Sequence, residues 1–250
     1  MRLTPALIFI LSASLSWAKN DPPEKIYFGI NSNYTLPLVE IRNPVHNPEV
    51  ESGLLKDLGE AIAAEMKLKP VWILLPKNRV APSLLSGDID IICNLNEAWQ
   101  SQIKDEIYWT ESLYPITNVI VSVGKKSVKS FKEIAGERVG VVVNFVYRDL
   151  EPEFKSQRIL REDGPNNESN IQKLIHGRLD YIVMSEMEYD YYSRVYPLLK
   201  ESELKMDRLD TKCALSKKSK VPLSQANRAV EAIKTNGTLQ KILKNYTDGR

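Results

Sequence analysis

The chain contains one short pattern twice, and this repetition constrains its fold more than any other feature. Residues 84–92 read LLSGDIDII, and residues 174–183 read LIHGRLDYIV. In each copy a helical segment ends at a Gly, and an Asp follows where the chain turns into an apolar strand. Gly tolerates the left-handed conformation common after a helix because it has no Cβ. Two such units predict two similar α/β lobes, with a cleft between them suited to a small molecule.

Strand and helix patterns alternate in both halves of the chain. Each half reads β-α-β-α-β, which predicts a mostly parallel sheet with right-handed crossovers and flanking helices. Residues 119–123 are expected to form the first crossing between the lobes, and residues 212–216 the returning strand. Two closing helices, predicted at 223–235 and 239–246, are expected to cap the first lobe. That lobe is therefore predicted to be discontinuous.

The first eighteen residues have the pattern of an export signal. Arg2 supplies the positive start, residues 6–15 form an apolar run, and residues 16–18 read SWA, a small-x-small cleavage site. The run is short for a bilayer span. We therefore predict a signal peptide at residues 1–18 and a mature chain outside the cytoplasm. The alternative is a retained anchor or a buried N-terminal helix.

Charge and cysteine content limit the classes of partner and cofactor. Lys and Arg number 34 against 32 Asp and Glu, whereas nucleic-acid-binding proteins usually carry a basic excess. We expect no nucleic-acid partner. Cys93 and Cys213 both lie in apolar, strand-like segments, so a disulfide and two buried free thiols both remain open. No metal-ligand spacing is present, and we expect no metal and no cofactor.

Six segments, in order along the chain, carry a resemblance to a known family: residues 53–55, 86–90, 108–114, 134–141, 177–180 and 236–242. They resemble the bacterial extracellular solute-binding proteins, family 3, the periplasmic receptors of polar amino-acid ABC transporters. The resemblance implies the two-lobed α/β fold of type II periplasmic binding proteins, with two crossover strands and hinge closure on a ligand. Lobe 1 would comprise residues 19–122 and 209–250, and lobe 2 residues 123–208.

The chain departs from the family's amino-acid receptors at the place of their carboxylate clamp. Those receptors carry an Arg after the third strand, since a guanidinium fork matches a carboxylate. Residues 94–102 contain no Arg here, and Ser101 or Gln102 occupies the place. Asn144 and Phe145 stand where Gly-Thr or Gly-Ser is usual. We expect the ligand to be held differently from an ordinary α-amino acid.

Ligands of open α/β sheets bind beyond the carboxyl ends of parallel strands. That rule selects residues 31–34, 75–79, 94–99, 144–147 and 185–186. The candidate ligand-binding residues are aromatic, polar or charged: Tyr34, Arg79, Asn94, Asn96, Trp99, Asn144, Phe145, Tyr147, Ser185 and Glu186. Structural roles remain open for several of them. Tyr34 could be a loop tyrosine packed on a Pro, Trp99 could fill the core, the amides could cap turns, and Arg79 and Glu186 could simply start helices.

Three functions remain open. The first is a monomeric periplasmic binding protein that closes on a small polar solute, amino-acid-like or another metabolite, for an ABC permease in the inner membrane. The second is a sensor or interaction module of the same fold. The third is an enzyme resembling periplasmic cyclohexadienyl dehydratases, with Glu186 as general acid. Because no paired base and no common catalytic or phosphate-binding motif is visible, we expect no enzyme.

Overall fold

The computed structural model describes residues 23–43 and 46–247, so the predicted signal peptide lies outside the described residues. The strands are β1 Lys25–Asn31, β2 Glu40–Arg42, β3 Glu49–Ser52, β4 Lys69–Leu75, β5 Ile91–Leu95, β6 Tyr108–Trp109, β7 Pro115–Val123, β8 Arg138–Val142, β9 Leu160–Gly164, β10 Tyr181–Ser185, β11 Leu199–Asp210 and β12 Lys212–Leu215. The helices are α1 Leu54–Met66, α2 Lys77–Ser86, α3 Glu151–Lys155, α4 Asn167–Ile175, α5 Glu186–Val195, α6 Leu223–Thr235 and α7 Thr238–Thr247, with 3₁₀ turns at Glu97–Trp99 and Phe131–Ile134.

The strands form two five-stranded sheets, in the orders β4-β1-β5-β12-β6 and β11-β7-β10-β8-β9, and β2 pairs with β3. In the first sheet β4, β1 and β5 are parallel, and β12 runs antiparallel to β5. In the second sheet β9, β8 and β10 are parallel, and β7 runs antiparallel to β10. Each sheet thus has a parallel core of three strands. The predicted α/β architecture with two sheets and flanking helices is confirmed.

The repeated pattern occupies equivalent places in the two sheets. Gly87 follows α2 with φ 82°, and the chain continues into β5. Gly177 follows α4 with φ 68°, and the chain continues into β10. Both positions need the left-handed backbone that Gly adopts without steric cost. The sequence repeat therefore marks a structural repeat.

The chain passes between the sheets twice, in two segments that lie side by side. The Leu113 N–H donates to the Thr211 carbonyl at 2.8 Å, and the Thr211 N–H donates to the Tyr114 carbonyl at 2.8 Å. Beyond this pair, Pro115 lies opposite Asp210, and β7 and β11 continue together into the second sheet. The crossing expected at residues 119–123 thus comes earlier, since all of β7 pairs within the second sheet. The division of the chain into lobes at 122/123 and 208/209 stays a prediction.

The two C-terminal helices, α6 and α7, pack beside the first sheet, as the sequence predicts. Leu58 of α1 shares a buried core with Val230 of α6 and Leu239 of α7, beside the first sheet.

A disulfide joins Cys93 of β5 to Cys213 of β12, so the two cysteines are paired rather than free thiols. In the described ranges, no helix has the length and apolar character needed to cross a membrane.

Candidate functional site

A cavity of about 60 Å³ lies between the two sheets. Pockets for drug-sized ligands measure about 300–1,000 Å³, so this cavity fits only a small occupant. The first-lobe wall is formed by residues within or after β1, β4 and β5: Tyr34, Leu38, Lys77, Asn94, Leu95 and Trp99. The second-lobe wall is formed by residues within or after β8, β9 and β10: Phe145, Val146, Tyr147, Asn167, Met184, Ser185 and Glu188. All six parallel strands therefore contribute, together with Ile116 and Asn118 of β7.

Asn94 fixes the aromatic part of the first-lobe wall. It lies near the end of β5 with φ 60°, a left-handed conformation that Asn tolerates better than most residues. Its Nδ2 donates to the Tyr34 hydroxyl at 3.2 Å, and its Oδ1 accepts from the Tyr114 hydroxyl at 3.0 Å. Burial raises the pKa of both tyrosines, so their hydroxyls stay neutral at physiological pH. Asn94, which is 1% exposed, thus holds the Tyr34 ring at the cavity.

Lys77 places a charge on the same wall. It is the first residue of α2, and its backbone N–H donates to Asn33 Oδ1 at 3.2 Å. Its ammonium makes no hydrogen bond or ion pair with any residue of the described ranges, and burial alone lowers the pKa of Lys77 to about 8. Trp99 ends the 3₁₀ turn after β5, and its buried Nε1 has no acceptor among the described residues. This wall therefore offers two unpaired donors.

Glu188 places a carboxylate on the opposite wall. It is 7% exposed and forms a capping box at the start of α5, in which Oε2 accepts from the Ser185 N–H at 3.1 Å and the Ser185 hydroxyl at 2.6 Å. Its Oε1 accepts from Asn167 Nδ2 at 2.8 Å. Burial raises the pKa of Glu188, while the bonds from Ser185 and Asn167 oppose that shift.

Three side-chain contacts join the two lobes. The rings of Tyr34 and Phe145 meet edge to face with centroids 5.6 Å apart. Asn33 Nδ2 donates to the Pro165 carbonyl at 2.9 Å, and the Tyr192 hydroxyl donates to Thr35 Oγ1 at 2.9 Å. Each contact joins a residue that follows β1 in the first sheet to a residue of the second lobe. The two lobes are therefore in direct contact in this structure.

The structure places the sequence-predicted site residues in two groups. Six of the ten line the cavity: Tyr34, Asn94, Trp99, Phe145, Tyr147 and Ser185. The other four do not line it. Arg79 is exposed on α2, and Asn144 is exposed in a turn with φ 63°. Asn96 caps the 3₁₀ turn by accepting from the Ala98 N–H at 2.8 Å, and Glu186 pairs with Lys205 at 2.8 Å.

Four polar cavity residues were not predicted from the sequence: Lys77, Asn118, Asn167 and Glu188. Lys77 lies within the range 75–79 that the strand-end rule selects, but the candidate ligand-binding residue named from that range is Arg79. Ser185 and Glu188 have the Ser-x-x-Glu spacing of a capping box, a signal that places a carboxylate at this helix start. Asn167 follows β9, whose charged sequence LREDG does not read as a strand to its end.

The site offers no ligand set for a metal ion. Among residues 23–43 and 46–247, no three His, Cys, Asp or Glu side chains form a group that could hold one. The aromatic rings, amides and two opposite charges of the walls are instead suited to hydrogen bonding and packing around a small organic solute.

Comparisons with known proteins agree with this architecture. The sequence model of the bacterial extracellular solute-binding proteins, family 3, matches residues 41–249. An ancestral arginine-binding protein bound to arginine has 21% identity, covers 90% of this chain and 99% of its own, and superposes with a TM-score of 0.76. A Salmonella typhimurium periplasmic binding protein with high arginine specificity has 15% identity, coverage of 90% and 99%, and a TM-score of 0.74.

A third solved structure is an amino-acid ABC transporter substrate-binding protein from Streptococcus pneumoniae bound to L-arginine. It has 17% identity, covers 90% of this chain and 95% of its own, and superposes with a TM-score of 0.73. At these identities the likeness shows a shared fold. No curated protein sequence matches the chain.

Proposed function

Since the chain belongs to the bacterial extracellular solute-binding proteins, family 3, we propose that it binds a small polar solute in the cavity between its sheets. The observation that carries this proposal is the composition of the two walls. The first lobe contributes Lys77 and the second contributes Glu188, and aromatic residues of both lobes line the same cavity. Neither charge has an oppositely charged partner within the described residues. A solute with complementary groups supplies both partners.

Closure of the lobes is the proposed mechanism. A ligand that contacts both walls stabilises the shut state more than the open one, by the difference in its affinity for the two states. The Asn33–Pro165 and Tyr192–Thr35 hydrogen bonds then add to the ligand's own contacts. The paired crossing segments at residues 113–114 and 211 are the proposed hinge, because they are the two connections between the sheets.

The proposed ligand is an amino-acid-like or other small polar metabolite. Two of the similar structures have arginine bound, and an amino-acid-like solute is consistent with opposite charges in one cavity. The described cavity wall contains no Arg, so the solute is held without a guanidinium clamp. We further propose that the chain is periplasmic and monomeric and that an ABC permease reads its shut form.

We propose no catalytic activity. The enzymatic alternative requires Glu186 as general acid in the cleft. That carboxylate forms an ion pair with Lys205 at 2.8 Å and does not line the cavity. Glu188, which does line the cavity, accepts three hydrogen bonds, two from Ser185 in the helix cap and one from Asn167.

A thermal-shift screen tests the proposal. We expect Tm to rise by about 5–10 °C when a cognate solute is present at a hundred times its Kd, in a panel of L-amino acids, polyamines and organic acids. Tyr34→Ala should abolish that rise, since it removes a ring from the cavity wall. Tyr27→Ala is the matched control, because Tyr27 is exposed on β1, the strand that precedes Tyr34, and does not line the cavity. A flat response across the panel would favour the sensor or interaction module.

A further inference from the structure

Lys77 lines the cavity as an amine without a partner. It belongs to the first-lobe wall, and its Nζ makes no hydrogen bond or ion pair with any residue that the structure describes. The carboxylate of Glu188, on the opposite wall, is instead engaged by Ser185 and Asn167. Buried charges in proteins are usually paired, so a lysine kept without a partner at a cavity needs an explanation.

The surroundings of Lys77 favour the neutral amine over the ammonium. Apolar and aromatic side chains make up most of the cavity lining, among them Leu38, Leu95, Ile116, Phe145 and Met184. Burial lowers the folded-state pKa of Lys77 to about 8, against 10.5 for an ordinary lysine. At pH 7 about one Lys77 side chain in ten therefore carries a free amine, a fraction about 300-fold larger than that of an ordinary lysine.

We propose that Lys77 is a covalent capture site, at which its amine forms a reversible imine with an uncharged short-chain aldehyde held in the cavity. This inference rests on the proposed function, because it places the reaction in the same cavity. Lysine forms imines with carbonyl compounds, and a lysine desolvated in an apolar pocket is activated for that role. The cavity volume of about 60 Å³ limits the aldehyde to a few heavy atoms.

Imine formation needs no reactant other than the aldehyde. The Lys77 ammonium gives a proton to water, the lone pair of Nζ attacks the carbonyl carbon, and a proton moves from nitrogen to oxygen to give a carbinolamine. A proton taken from solvent lets that oxygen leave as water, and loss of the remaining N–H proton gives the neutral imine. The apolar lining disfavours the water that would hydrolyse the product.

The charges of the wall restrict the aldehyde to an uncharged one. Formation of the neutral imine removes the charge of Lys77, and the residues that line the cavity include no other Lys or Arg. Glu188 stays on the opposite wall, and the hydrogen bonds that it accepts favour its ionised form. An aldehyde with its own carboxylate would then be buried beside a like charge and without a cation, which is unfavourable.

Reductive trapping tests this inference. The ligand-free protein would be incubated at pH 7 with glycolaldehyde and sodium cyanoborohydride, which reduces an imine to a stable secondary amine, and the labelled lysines would be located by peptide mapping. We expect Lys77 to be labelled at least about tenfold faster than the exposed Lys25, Lys67 and Lys200, because its larger fraction of free amine outweighs the lower nucleophilicity of a less basic nitrogen.

A matched probe, an unfolded control and two variants separate capture in the cavity from general lysine reactivity. Glyoxylate is also a two-carbon aldehyde but carries a carboxylate, and it should label Lys77 no faster than the exposed lysines. Protein unfolded in guanidinium chloride should show no preference for Lys77. Lys77→Met should leave the labelling of the exposed lysines unchanged. Arg79→Met is the matched variant on the same helix, since Arg79 is exposed and does not line the cavity, and its Lys77 should be labelled as in the wild type.

The inference is overturned if glycolaldehyde labels Lys77 of the folded protein no faster than the exposed lysines, if the preference for Lys77 survives unfolding, or if glyoxylate labels Lys77 as fast as glycolaldehyde does. Where Lys77 escapes labelling but the thermal-shift screen yields a ligand, covalent capture fails and the proposed function stands. Silence of the wild type in both experiments rejects the proposed function and the capture site together.

Discussion

Lys77 and Glu188 are placed where an unpaired charge lowers the stability of the empty protein. Burial lowers the pKa of Lys77 to about 8 and raises the pKa of Glu188, so in both cases the charged form is the disfavoured one. Residues that bind a ligand often carry such a cost, because their partners arrive only with the ligand. The cost should be measurable in the free protein.

Removal of the Lys77 charge should stabilise the ligand-free protein at neutral pH. The folded-state pKa of Lys77 is about 8, against 10.5 for an unperturbed lysine, so the cost of burying the ammonium is fully present below pH 8. Between pH 8 and 10.5 the unfolded state binds more protons, and stability rises with pH. After allowance for partial solvent exposure, we expect Lys77→Met to raise the free energy of unfolding by about 1 kcal/mol at pH 7.

Urea unfolding of wild type and Lys77→Met at pH 7 and near pH 10 checks this expectation. The difference between the two proteins should shrink at the higher pH, where the folded-state lysine has lost its proton and the unfolded-state lysine has begun to lose it. Arg79→Met should leave stability unchanged, since Arg79 is exposed. A Lys77→Met protein that is less stable than wild type at pH 7 would contradict the assignment.

At the scale of elements, the sequence predicts the strands that are buried on both faces better than those at the edges. The apolar runs of β5, β8 and β10 are visible in the sequence, and so are the Gly residues after α2 and α4. Strand β11 was not predicted, because its sequence LKESELKMDRLD is highly charged and belongs to the edge of the second sheet. The end of β9 was missed for the same reason, and Asn167 with it.

The sequence predicts a site residue only where it also predicts the end of the strand that carries it. Tyr34, Asn94 and Ser185 follow from the rule that ligands bind beyond the carboxyl ends of parallel strands. The choice between Lys77 and Arg79 could not be made from the sequence, because it depends on which face of α2 turns toward the second lobe. The disulfide was equally undecided, since it depends on β5 and β12 being neighbours in the sheet.

The disulfide is the covalent link within the first sheet, and its loss should destabilise the protein. It joins β5 to β12 across 120 residues of sequence, a loop that includes every strand of the second sheet. A cross-link that closes a loop of this length is worth about 3–5 kcal/mol through restriction of the unfolded chain. We expect a Cys93→Ala/Cys213→Ala double variant to lose about that much in urea unfolding.

A thiol titration provides the control for this experiment. Denatured wild-type protein should show no reactive thiol before reduction and two after it. Equal stability of the double variant and the oxidised wild type would show that the link contributes nothing to the fold.

At the scale of the whole molecule, contacts outside the cavity also join the two lobes; for example, Arg194 of α5 donates to the Thr247 carbonyl of α7 at 3.0 Å. Tyr192 donates to Thr35 across the cleft at 2.9 Å, whereas the neighbouring Tyr196 accepts from Gln172 within the second lobe at 3.1 Å. Both hydroxyls are on or just after α5, so their removal provides a matched pair. A difference between the two variants reports on closure rather than on folding.

Tyr192→Phe should shift the ligand-free protein toward an open form. The loss of one interlobe hydrogen bond, worth about 1 kcal/mol, changes the ratio of shut to open molecules about fivefold. Small-angle scattering should show a larger radius of gyration for Tyr192→Phe and an unchanged one for Tyr196→Phe. Equal radii for both variants and the wild type would show that this contact does not hold the lobes together.

Native mass spectrometry tests most directly whether a small solute occupies the space between the lobes. The protein would be stripped of ligand by unfolding and refolding, incubated with the deproteinised small-molecule extract of its own cells, and sprayed under native conditions. We predict one small-molecule adduct per chain that disappears on denaturation and is missing in Tyr34→Ala but present in Tyr27→Ala. Spectra that show only the bare chain after this incubation would contradict the account.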